Sequence, residues 1–138
     1  MQRLCDWPAR LHAFIDQVKR SSHRYGTQDC LVGFAFGAVT ALTGEDPAAL
    51  YRGRYDTAKG ALRVMREAGH ANLADLVASH LPEIHVSRAR LGDLAAIPDG
   101  SPFGFALGIV NGERLLVMRE DGLGTTDFTA ATRAFRVG

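Results

Sequence analysis

Apolar residues in the first half of this chain recur at helical spacing, and in the second half they contract into short strand-like runs. Asp6 precedes Trp7-Pro8, and Leu11, Phe14, Ile15 and Val18 then share one face. A first helix is therefore predicted over about 8–20, ended by Ser21-Ser22-His23-Arg24. A second is predicted to begin at Asp29 or Cys30 and to stop at Gly44, where a residue with positive φ would close it. It is apolar nearly all round, which makes it the central element. Gly33 and Gly37, four apart, weaken it by propensity, and close backbone packing on their face is the reason expected for them. Asp46-Pro47 opens a short helical turn. Asp56 or Thr57 caps a helix carrying Ala61, Leu62, Val64 and Met65 that Gly69 ends, and a further helix over 72–80 is closed by Pro82.

In the second half, 94–97, 106–110 and 114–118 read as strands, and Asn111-Gly112 between the last two signals a hairpin. Residues 121–124 are expected to form another turn before 125–128, and 130–137 to add a short helix and a final strand. Helices followed by an antiparallel sheet is an α+β order. No repeat, low-complexity tract or linker divides the 138 residues, so a single domain spanning 1–138 is expected.

Charge and composition narrow the function classes. Sixteen basic and fifteen acidic side chains leave a net charge of +1, so no global field favours nucleic acid or an anionic membrane, and no nucleic-acid partner is expected. The run 31–42 is too short to span a bilayer and the N-terminus lacks the apolar core of a secretory signal. A soluble protein made without an export signal is expected. The two cysteines, Cys5 and Cys30, have no zinc-type spacing and suit two free thiols in a reducing compartment. The five histidines lack the i, i+4 pairing of a helical zinc site, and there is no phosphate-binding Gly-x-x-x-x-Gly-Lys loop. No metal and no cofactor are expected.

The candidate chemistry centres on Cys30. A cysteine in the first turn of a helix meets unpaired N–H groups and the helix dipole, both of which favour the thiolate. The competing reading is a buried small hydrophobe in a packed helix. Asp29 suits a helix N-cap, Asp93 a turn at a strand start, and Cys5 a structural or incidental place.

Three pieces, in order, resemble the NlpC-type branch of the papain-like cysteine peptidases. They are Tyr25-Gly26 with Asp29-Cys30 and an apolar helix, then Gly92-Asp93-Leu94, then Leu107-Gly108-Ile109-Val110 leading through Asn111-Gly112 to another strand. The resemblance implies a papain-like α+β domain with the cysteine on a central helix packed on a small antiparallel sheet. It implies Cys30 as nucleophile toward an amide of a cell-wall peptide, and Tyr25 on the oxyanion side. The family's histidine would stand at Ala106, and its imidazole-orienting polar residue near 116–118, which is apolar here. The nucleophile position is kept and both partners are missing. Loss of the general acid and base forfeits roughly two to four orders of magnitude in rate.

Asp46-Pro47, Arg52-Gly53-Arg54-Tyr55, Gly60-Ala61 and Ala134-Phe135-Arg136-Val137 further resemble a small group of proteins encoded among tail genes of siphophages, prophages and gene-transfer agents. That likeness implies a structural component of a phage or phage-like tail tip, made in the bacterial cytoplasm and located in the virion tail, with hub and fibre proteins as partners. Arg52, Arg54 and Tyr55, planar donors and an aromatic anchor, are the interface candidates, with fold support the companion reading and a solvated loop turned by Gly53 the competing one. The alternative is a peptidoglycan-cleaving cysteine amidase or endopeptidase used in genome delivery. Its substrate is a cell-wall peptide, and its base is a partner residue or a histidine such as His23 or His85.

Overall fold

In the computed structural model, which describes residues 1–138, the first predicted helix is α1, Trp7–Lys19, with Pro8 in its first turn, where a missing N–H costs nothing. The central element begins as a π-helical stretch, Cys30–Ala35, and continues as α2, Phe36–Thr43, closed by Gly44 at φ +80°. In the π-helical stretch the Phe34 N–H donates to the Asp29 carbonyl, five residues back, at 3.1 Å. The two glycines have separate reasons. A Cβ on Gly33 would lie 2.6 Å from the Gln28 Cα, which is the expected close backbone, whereas one on Gly37 would lie 2.8 Å from the Phe14 ring of α1.

Helix α3, Ala58–Glu67, is capped by the Thr57 hydroxyl, which accepts from the Gly60 N–H at 3.0 Å. Helix α4, Leu73–Ala78, is capped by the Asn72 side chain, which accepts from the Asp75 N–H at 2.8 Å. Helix α4 is shorter than the predicted 72–80 because Pro82 disfavours helical backbone at Leu81, and Ser79 already closes the last turn.

Six strands make one antiparallel sheet in the order β1-β6-β2-β3-β4-β5: β1 Glu83–Ile84, β2 Leu94–Pro98, β3 Phe105–Asn111, β4 Arg114–Arg119, β5 Gly122–Asp127 and β6 Arg133–Phe135. Two turns differ from the sequence reading. Asn111 pairs with Arg114, so the β3–β4 loop is Gly112-Glu113, with Gly112 at φ +68° in its first position. Arg119 pairs with Gly122, so the next turn is Glu120-Asp121 and the expected turn 121–124 is mostly strand. Gly124 is tolerated there because the Arg119 side chain lies over it, with Nη1 3.0 Å from where a Cβ would stand. Strand β1 has only two residues, too few for a periodic signal.

The helices cover one face of the sheet. Leu107 and Ile109 of β3 and Leu116 and Met118 of β4 join the main core with Phe34, Phe36, Val39 and Leu42, all buried. The opposite face carries a small cluster of Ala95, Val110, Leu115 and Ala131. Both chain ends are tied to Asp93, only 1% exposed. Its Oδ1 accepts from Arg3 Nη2 at 2.9 Å and from the Val137 N–H at 3.0 Å, and its Oδ2 from the Arg90 N–H at 2.9 Å. Arg3 also donates to the Val137 carbonyl at 2.7 Å and the Leu91 carbonyl at 2.8 Å.

Replacing Asp93 by Ala leaves Arg3 Nη2 and two amides without their acceptor. Urea unfolding should show a loss of about 3–5 kcal/mol, well above the ordinary effect of a surface substitution.

Candidate active site

The site is built on Asp29, only 3% exposed. Its Oδ1 accepts from the Leu31 N–H at 3.0 Å and the Val32 N–H at 2.7 Å, as the N-cap reading requires. Its Oδ2 accepts from the Gly26 N–H at 2.9 Å and the Tyr55 hydroxyl at 2.6 Å. Gly26 stands at φ +90°, and a Cβ there would run into the Tyr55 carbonyl oxygen. The Gly53 N–H donates to the Gly26 carbonyl at 2.9 Å. The loop before the central helix is thus locked to the loop before α3.

Cys30 follows this cap, half-buried, and lines a cavity of about 400 Å3 between α3, the central helix and the β2–β3 loop. Leu31, Val64, Met65, Leu73 and Met118 form much of its apolar wall, and Ala106 of β3 lines it together with Cys30. The expected thiolate is not favoured. Burial first, then the charge of Asp29, with Asp99 adding to it, push the Cys30 thiol up to about 12. The reason the helix terminus fails to offset this is local: Asp29 already occupies the Leu31 and Val32 amides and brings a negative charge to them.

The histidines sort clearly. His23 lines the cavity and packs edge-on against Tyr25, ring centroids 4.7 Å apart. His80 bonds the Tyr51 hydroxyl through Nε2 at 2.7 Å, and His85 bonds Ser87 at the surface through Nδ1 at 2.7 Å. No imidazole hydrogen-bonds the Cys30 sulfur; His80 Nε2 and His85 Nδ1 are engaged with Tyr51 and Ser87. Tyr25 lines the cavity and donates to Glu120 Oε1 at 3.2 Å, and burial followed by that bond raises its hydroxyl pKa.

Of the interface candidates, Arg52 and Arg54 are exposed. Arg52 makes a paired contact with Asp46, at 2.8 and 3.1 Å, and Arg54 donates to the Leu50 carbonyl at 3.3 Å. Tyr55 takes the fold-support role and is no surface anchor. It is half-buried with its hydroxyl committed to Asp29, because the turn at Gly53 points it inward. The sequence reading did not single out Asp99, Ser101, Phe103 and Phe105, which line the cavity from the β2–β3 connection. The Asp99-Gly100 pair between two strand runs was the available signal.

A family model described as a domain of unknown function, DUF6950, matches residues 2–137. The chain belongs to the DUF6950 family. No curated protein matches it. Among solved structures, this DUF6950 domain is similar to the NlpC/p60 domain of the peptidoglycan hydrolase SagA, at a TM-score of 0.54 and 19% identity over 93% of this chain and 97% of that one. That likeness shows the fold: an NlpC/p60, papain-like α+β architecture, as the motif order implied.

Two outcomes follow. Alkylation of Cys30 by iodoacetamide should keep rising with pH through pH 10 without a plateau; a midpoint below about 8.5 would contradict the site described. Because the folded thiol ionises well above the 9.0 of an unperturbed one, its contribution to stability is complete below pH 9 and is lost as pH rises toward 12. Wild type should therefore lose about 1 kcal/mol more than Cys30→Ser between pH 9 and 10. Separately, Tyr55→Phe removes one donor to a buried carboxylate and should cost about 1–3 kcal/mol in urea unfolding.

Proposed function

We propose that this domain is a catalytically degenerate NlpC/p60-like fold that serves as a structural component of a phage or phage-like tail tip, docked on hub or fibre proteins of the virion. The observation that carries the degenerate part is the Cys30 thiol, held protonated in an apolar cavity with no imidazole bonded to its sulfur, and by motif order the family's histidine position is Ala106. A papain-type nucleophile needs an adjacent base both to form the thiolate and to protonate the leaving amine. The tail assignment is supported by the motifs 46–47, 52–55, 60–61 and 134–137, and by the exposed positions of Arg52 and Arg54.

A second reading, a cysteine amidase or endopeptidase acting on cell-wall peptide, is favoured by one observation: His23 lines the cavity that holds Cys30. The two readings separate in one assay. Purified protein incubated with peptidoglycan sacculi should release no stem-peptide fragments above a Cys30→Ser control. Ala106→His alone should not restore turnover, since the orienting position near Leu116–Met118 stays apolar and the carboxylates still oppose the thiolate. Fragment release abolished by both Cys30→Ser and His23→Ala would establish the hydrolase instead. Mass spectrometry of purified phage-like particles from a producing strain tests the location, and absence of the chain from particles that contain the tail hub would defeat it.

A further inference from the structure

The cavity has a one-sided charge pattern that neither a degenerate hydrolase nor a packing defect requires. Its volume is in the range of small-molecule sites, about 300–1,000 Å3, and its wall is mostly aliphatic and aromatic. The charged side chains that line it are the carboxylates of Asp29, Asp99 and Glu120, and one arginine, Arg119. Arg119 does not balance them. On β4 the inward positions are Leu116 and Met118, so Arg119 shares the outward parity of Leu115, and its guanidinium lies over Gly124 on that outer face. Asp29 is satisfied by its four donors and contributes only its charge. Asp99 accepts from the Ser101 N–H at 2.9 Å and hydroxyl at 2.7 Å, and Glu120 from Tyr25. Both are exposed, with acceptor capacity left toward a ligand at the mouth. His23 is the one other titratable cation in the lining.

Resting on the reading of a cleft that no longer hydrolyses, we infer that this cavity binds a primary ammonium carried on an apolar body, the apolar part against Val64, Met65 and Met118 and the cation at the mouth between Asp99 and Glu120. The shared chemistry has two sources, an alkylammonium amphiphile and the free amino-terminus of an apolar peptide.

Isothermal titration with octylammonium, 1-octanol and octanoate, and with leucyl-leucinamide and its N-acetyl form, tests the inference and separates the sources. At least one amine-bearing probe should bind roughly tenfold tighter than its uncharged counterpart, with octanoate weakest; which amine does so identifies the source. The Asp99→Asn/Glu120→Gln double variant, both changes being at exposed positions, should abolish the preference. Equal binding of charged and uncharged probes, absence of binding by both amines, or a preference that survives the double variant overturns the inference. Fragment release from sacculi would defeat the non-hydrolytic reading without touching this binding result, and equal binding would defeat this inference while leaving that reading in place.

Discussion

A single buried carboxylate, Asp29, fixes the relation between three parts of the chain. It satisfies the Leu31 and Val32 amides in the first turn of the central helix, it holds the Gly26 turn, and through Tyr55 it anchors the loop that leads into α3. A carboxylate taken this far from water is stable only when its acceptor sites are filled, so each of these contacts depends on the others. The same group sets the chemistry next door. By spending the helix-terminal amides on itself and adding a negative charge, it turns a position that ordinarily generates thiolates into one that suppresses them.

The fold was largely legible from local signals. The caps at Thr57 and Asn72, the stop at Gly44, and three of the strands follow from residue type and period, and the α+β order from their sequence. What local pattern misreads is geometry that depends on neighbours. The π-helical start at Cys30–Ala35 comes with a backbone packed against Gly33, and no periodicity announces it. Gly122 and Gly124 read as a turn by composition, yet the ladder to β4 continues through them, and at Gly124 a long arginine side chain occupies the space that a Cβ would take. Strand β1 exists only because β6 returns beside it.

The candidate site was legible in its parts and not in its electrostatics. Cys30 and Ala106 line one cavity. The sign of the field around the thiol could not be read from the sequence, because it depends on Asp99 from a distant turn and on how completely Asp29 is enclosed. Tyr55 is the converse case: an aromatic beside two arginines suggests a surface, and a single turn at positive φ at Gly53 directs it inward.

The clamp around Asp93 also has a mechanical meaning. Chain ends in most domains fray independently. Here Arg3 and Val137 share one buried carboxylate and bond each other directly, so neither end opens without disturbing the other. A pulling force applied between residues 3 and 137 would meet this charged lock before any sheet hydrogen bond is loaded, and the six strands would stay registered until it gave way.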